Sequence, residues 1–229
     1  AISLESEINE RSKFLQEKEN FNWNRFTDLI EILKHFGCLL DYELTEIGKS
    51  VSLLRTENEL WVGLVLLSGY LDELNPPDLA SVIQGICVEI RSPDVWCNIK
   101  LSAKVIEVFN ELEIVKKLIS VQQSKYHIDT PIYLERDLTG IVFEWARGKK
   151  WKEVVFNTSL DEGDVVRIIR RTIDILSQIQ FCSGLSYKLK KNAKLALKLV
   201  NKFPVAESQD LINVSQNNNI NPATKRIEN

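Results

Sequence analysis

Apolar positions recur along most of this chain at helical spacing, and breakers separate the runs. Ser3 to Glu19 is charged and helix-favouring with few large apolar residues, which predicts an exposed helical lead-in. From Trp23, the residues Phe26, Leu29, Ile30, Leu33 and Phe36 form a stripe expected to stop at Gly37, a C′ glycine. A loosely alternating stretch follows, CLLDYELTEIGKSV, with a turn at Thr45 to Gly48. Helix, short β-like wing and an L-T-x-x-G turn are the order found in the latter half of a winged-helix unit.

Glu57 to Glu73 is apolar around most of its circumference, so it is expected to be a buried helix in which Gly63 and Gly69 allow close packing. Pro76-Pro77 then opens a helix from Asp78 to Ile90, which Pro93 ends. Asn98 to Val121 reads as a long helix with Leu101, Val105, Val108, Phe109, Leu112, Val115, Leu118 and Ile119 inward. Its carboxylates Glu107, Glu111 and Glu113 fit a solvated face better than acid/base work. Tyr126 to Pro131 is a polar connector, and Leu138, Ile141, Val142 and Trp145 mark a short helix that Gly148 stops. Another short helix is expected from Lys149 to Phe156.

Ser159 to Ile179 is the most informative stretch. Ser159 and Glu162 have capping-box spacing, which starts a helix near Leu160, and Asp161 and Asp164 favour its first turn. Val165, Val166, Ile169, Ile173, Leu176 and Ile179 give it an apolar stripe. Arg167, Arg170 and Arg171 remain on the other side, where one surface can meet phosphate, carboxylate or the face of a base. The same residues also fit a solvated face on which Asp174 pairs with Arg170 or Arg171. A last helix, Leu185 to Phe203, places Leu185, Leu189, Ala193, Ala196, Leu197, Val200 and Phe203 on one side. Lys188, Lys191, Lys194, Lys198 and Lys202 run down the other, as a phosphate-tracking row or as an exposed face. Pro204 to Asn229 turns polar and Asn-rich, the composition of a flexible tail.

Composition narrows the class. With 229 residues, 44% of them hydrophobic and only 9 Gly and 6 Pro, the chain is expected to form a mainly α globular protein. No apolar run approaches membrane-spanning length and the opening is polar, so a soluble intracellular protein is expected. Cys38, Cys87, Cys97 and Cys182 form no C-x-x-C pair, and with only His35 and His127 beside them no metal-ligand spacing is visible. Gly48-Lys49-Ser50 fails as a phosphate loop because the earlier glycine is replaced by Glu43. Methionine is absent, position 1 included, so the sequence reads as a piece of a longer protein. The net charge of −3 hides an asymmetry: Arg147 to Lys202 holds 13 Lys/Arg against 5 Asp/Glu, whereas Ala1 to Glu144 holds 14 against 24. A late basic flank suits a nucleic acid or an acidic partner domain.

Four stretches resemble a known family: NELW at Asn58 to Trp61 with SGYLDEL after it, PPDLAS at Pro76 to Ser81, EWARGKKWKEV at Glu144 to Val154, and GDVVRIIRRTIDILSQI at Gly163 to Ile179. They are similar to the C-terminal helical domain, DSHCT, of Ski-family DExH-box RNA helicases, in particular a cyanobacterial and chloroplast branch. The resemblance implies a mainly α fold, a ratchet-type helical bundle preceded by a partial winged-helix segment with a short β wing. The chain would then divide into the winged segment at 23–55 and the bundle at 56–204, with the lead-in at 1–22 and the tail at 205–229 lying outside the resemblance.

It further implies a monomeric parent with two RecA-like motor domains that bind ATP and Mg, located in the cytoplasm or in a chloroplast stroma. This chain carries no ATPase motif, and no cofactor is expected in it. In such a parent the bundle closes over the RNA channel and one helix touches the single strand. Arg167 falls at the family's G-x-V-V-R arginine, with Arg170 and Arg171 as the following pair, which alternatively bridges to neighbouring domains. Lys188 and Lys191 complete the candidate RNA-contacting set. From the residues alone, a helix-turn-helix or winged-helix DNA-binding protein and a protein-interaction bundle remain alternatives.

Overall fold

A computed structural model of the chain describes residues 2–89 and 94–206. In order, the elements are α1 (Ile2–His35), β1 (Leu39–Leu40), β2 (Glu43–Leu44), α2 (Glu46–Ser52), α3 (Glu59–Leu67), α4 (Pro76–Cys87), α5 (Ala103–Lys125), α6 (Gly140–Ala146), α7 (Trp151–Phe156), α8 (Glu162–Ile179) and α9 (Tyr187–Val200). The protein is mainly α: a helical bundle preceded by a helix and a two-stranded wing. Apart from its first two residues, the expected tail at 205–229 lies outside the described residues, as do Ile90 and Pro93.

α1 runs unbroken through residues 22 and 23, so the lead-in and the apolar stripe are one helix of 34 residues. The stripe is only partly covered: Trp23, Phe26 and Leu29 lie open and Ile30, Leu33 and Phe36 are half-buried, while Ile32, outside the expected stripe, is buried at 2% exposed. Gly37 ends it with φ +68°, a conformation that costs glycine nothing. The wing pairs Leu39 with Leu44 antiparallel. Thr45 gives the L-T-x-x-G turn its physical content. Its Oγ1 donates to Gly37 O at 2.6 Å and accepts from Gly48 N at 3.1 Å, tying the end of α1 to the start of α2. A Cβ on Gly48 would stand 2.0 Å from Cys38 O, so only glycine fits there. Lys49 pairs with Glu46 at 2.7 Å and Ser50 Oγ donates to Ser183 O at 2.6 Å, so the Gly-Lys-Ser triplet serves packing inside α2.

The bundle is built around α4, in which every residue from Asp78 to Cys87 is buried. Prolines occupy its first positions and Asn75 caps it, accepting from Asp78 N at 3.0 Å. The buried Asp78 carboxylate accepts from Asn75 Nδ2 at 2.7 Å and from Ser102 Oγ at 3.0 Å, and Ser102 is itself the cap of α5. One charge at a helix N-terminus thus joins two helix starts. Around α4 pack α5, α6, α8 and α9. Gln84, fully buried, donates from Nε2 to Leu138 O at 2.7 Å and accepts from Val142 N at 3.2 Å, bolting α6 to α4. A Cβ on Gly85 would meet Glu135 O at 2.4 Å and the Phe109 ring at 2.6 Å, the sign of a close backbone approach there.

Several helices are bounded differently from expectation. α3 stops at Leu67 instead of reaching Glu73, because Ser68 begins a turn completed by Gly69 at φ +80°. α5 begins at Ala103, its cap being Ser102, and it carries apolar residues on both faces. Its inner face is Val105, Val108, Phe109, Leu112 and Ile119; Leu118, expected inward, points out beside Ile114 and Val121. Phe203, expected on the inner side of the last helix, lies beyond α9 and is 69% exposed.

The cysteines are free thiols. Burial pushes Cys87 up to about 12, with Arg171 partly opposing it, and pushes Cys38 up to about 11. The folded chain therefore holds thiol protons that the unfolded chain releases above the ordinary value of 9.0. Their contribution to stability is intact below about pH 9 and falls as pH rises toward those higher values. Melting temperatures measured from about pH 8 to about pH 10.5 are expected to decline, less steeply in Cys87→Ala than in the parent. Equal slopes would show that Cys87 ionises no later folded than unfolded.

Candidate nucleic-acid interface

α8 presents its arginines because the rest of its circumference is fixed. Its cap is Asp161, which accepts from Asp164 N at 2.8 Å, and not Ser159 as the capping-box spacing indicates. Ser159 is held elsewhere: its Oγ accepts from Trp96 N at 2.9 Å and its N–H donates to Trp96 O at 3.1 Å, beside the bridge between Cys97 and Thr158. The buried arc of α8 is Val165, Ile168, Ile169, Thr172, Ile175, Leu176 and Ile179, while Val166 and Ile173, expected inside, are only half-buried. Relative to the expected stripe, the arc is turned toward the side that carries Arg171.

That rotation sorts the three arginines. Arg167 is exposed and donates from Nε at 3.2 Å and Nη2 at 2.9 Å to Asp164 Oδ1, one turn back along the helix. Arg170 donates from Nε to Val205 O at 3.1 Å, tying α8 to the turn that follows α9. Arg171 is half-buried, near enough to Cys87 for its charge to act on that thiol. Together with Gly163, Val166 and Asp174 the arginines line an open hollow of about 350 Å³. A second hollow, of about 220 Å³, is lined by Arg167 and Arg171 together with Glu57 and Glu89.

Lys188 and Lys191 belong to a different place. Gln180 Nε2 at the end of α8 donates to Lys190 O at 3.2 Å, whereas Arg170 reaches the chain beyond the end of α9, so the two helices run antiparallel. The lysines at the start of α9 therefore stand near the far end of α8, about 20 Å from Arg167 at 1.5 Å rise per residue. Lys188 is paired with Glu73, whose carboxyl is held below its usual range by that hydrogen bond and charge, while Lys191 is exposed. Lys202 leaves the lysine row altogether. Half-buried, it donates to Trp145 O at 2.9 Å with its Nζ 4.1 Å from the Trp145 ring centroid, and burial lowers its pKa.

Among the described residues, no group of three or more His, Cys, Asp or Glu is arranged to hold a metal ion, and no helix is long and apolar enough to cross a membrane.

Fold and surface together define a class: a helical bundle behind a wing, with an arginine-bearing helix whose opposite face is locked in the core. Residues 41–208 match the DSHCT (NUC185) domain, and the chain belongs to that family. It is 30% identical over 200 residues to the chloroplastic DExH-box ATP-dependent RNA helicase DExH15 of Arabidopsis thaliana, covering 84% of this chain and 17% of the relative. An uncharacterized helicase of Schizosaccharomyces pombe is 23% identical over 154 residues, and the DExH-box ATP-dependent RNA helicase DExH9 of Arabidopsis thaliana is 24% identical over 154. Each of these two matches covers 65% of this chain and 15% of the relative. The chain thus spans about a sixth of the length of such relatives. The family match begins in the turn of the wing, after β1, and runs from β2 through α9.

Proposed function

We propose that this chain is the accessory C-terminal domain of an ATP-dependent RNA helicase, and that α8 holds Arg167 against single-stranded RNA. RecA-like motor domains elsewhere in the parent chain bind ATP and Mg and move the strand, while the bundle closes over the channel. Arg167 carries the reading: it is exposed, oriented by Asp164, and mounted on a helix whose opposite arc is buried. A guanidinium so placed stacks on a base and contacts phosphate, and stacking contributes ~1–3 kcal/mol per base whatever the sequence. Its pairing with Asp164 is no obstacle, since exposed ion pairs contribute about 0–1 kcal/mol and exchange readily. Arg170 and the half-buried Arg171 border the same hollow, and Arg170 braces α8 against the turn after α9. Lys188 and Lys191 supply positive charge further along the α8–α9 hairpin, where a strand leaving Arg167 can follow.

The test is photo-crosslinking of 4-thiouridine-containing single-stranded RNA to the full-length parent protein, followed by peptide mapping. Crosslinks within residues 163–171 are expected. Efficient crosslinking to the motor domains with none in this domain would overturn the reading.

A further inference from the structure

The smaller hollow beside Arg167 has the wrong chemistry for a phosphate and the right chemistry for a base. Arg167 and Arg171 come to it from α8, Glu57 from the link between α2 and α3, and Glu89 from just beyond α4; Cys87 and Ile168, both buried, floor it. Tyr133 Oη donates to Glu57 Oε2 at 2.5 Å and Asp164 holds Arg167, so a carboxylate and a guanidinium at the rim are each oriented by a neighbour. Two carboxylates repel a phosphate, and two guanidinium groups repel a metal cation. What suits apolar surface with carboxylate acceptors and guanidinium donors around it is a flat, uncharged ring system whose edge carries both donors and acceptors. Nucleobases have that pattern, and unstacked bases are read along such edges. Guanine matches it most fully, with N1–H and N2–H₂ to give to carboxylates and O6 and N7 to accept from arginine.

Building on the RNA reading above, we propose that this hollow takes one base of the strand lying across Arg167, and takes guanine in preference to uracil. Glu57 and Glu89 accept from N1–H and N2–H₂, Arg171 donates to O6 or N7, and Arg167 covers the exposed face of the ring. Stacking on Arg167 alone is sequence-tolerant; the acidic rim adds the preference.

Binding of ~12-nucleotide single strands to the full-length parent protein, oligouridine against an alternating uridine–guanosine sequence, tests this. The guanosine strand is expected to bind at least ~5-fold more tightly. In the Glu57→Gln, Glu89→Gln double variant that ratio is expected to fall toward one; being a ratio, it is insensitive to a loss of folded protein. A ratio near one in the parent, or one unchanged by the double substitution, overturns the proposal. Arg167→Ala separates the two claims. If it weakens both strands while the ratio is one, the base site alone fails; if it weakens neither, RNA contact at α8 fails with it.

Discussion

Trp61→Ala is expected to unfold more of this protein's stability than any other single truncation in the bundle. The indole is 1% exposed, and its Nε1 donates to Ile86 O at 3.1 Å and to Tyr133 O at 3.0 Å, so it links α3 to the end of α4 and to the segment before α6. Removing a buried tryptophan costs ~3–5 kcal/mol in lost transfer energy and cavity. Two carbonyls that lose their donor raise the cost by about 1 kcal/mol or more. Against typical domain stabilities of about 5–15 kcal/mol, this is a large fraction. A melting temperature lowered by about 10 °C or more is the expected reading. Trp61→Phe keeps most of the volume but not the N–H, and is expected to fall between Ala and the parent. Trp23→Ala is the contrast: that ring is 65% exposed on α1, so its removal is expected to change stability by no more than about 0.5 kcal/mol. Equal losses for Trp61→Ala and Trp23→Ala would contradict the assignment of the core.

The helical architecture could be read from the chain because its periods and breakers agree. Gly37 and Gly148 stop helices where the apolar stripes end, both at positive φ, and Pro76-Pro77 opens α4. The details that escaped reading share a cause: local pattern cannot weigh neighbours that come from far away in sequence. Ser159 and Asp161 both have capping chemistry, and the choice fell to Asp161 because a partner about sixty residues upstream, Trp96, takes Ser159. Apolar residues surround so much of α8 that the centre of its stripe was undetermined until α4 and α9 closed on it, burying Ile168, Thr172 and Ile175. The same ambiguity put Leu118 inside α5. Lys202 looked like one more lysine of an exposed row, yet the Trp145 ring lies at the end of α9 and draws it down.

The candidate site was legible in its residue types and not in its geometry. Three arginines at helical spacing could be named from the chain, but their unequal roles could not: Arg167 open, Arg170 tied to Val205, Arg171 half-buried. That two lysines of the set stand about 20 Å away follows only from the antiparallel packing of α8 and α9. Glu57 and Glu89, which border the second hollow, gave no signal at all, since nothing in the local pattern places either beside α8.

The other large effect is on function, at Arg167. Because its side chain is half-exposed and paired only across one helical turn, Arg167→Ala is expected to leave the melting temperature nearly unchanged, within about 0.5 kcal/mol of stability. Losing a stacking and phosphate contact of ~1–3 kcal/mol lowers the population of productively threaded strand by about tenfold. Arg167→Lys retains the charge without the planar face and is expected to recover only part of the loss. The decisive measurement is the rate of RNA-stimulated unwinding by the full-length parent protein with Arg167→Ala, its fold verified by melting. A rate reduced about tenfold with the melting temperature preserved is the expected result; a rate equal to that of the unsubstituted protein would remove Arg167 from the strand and contradict the account.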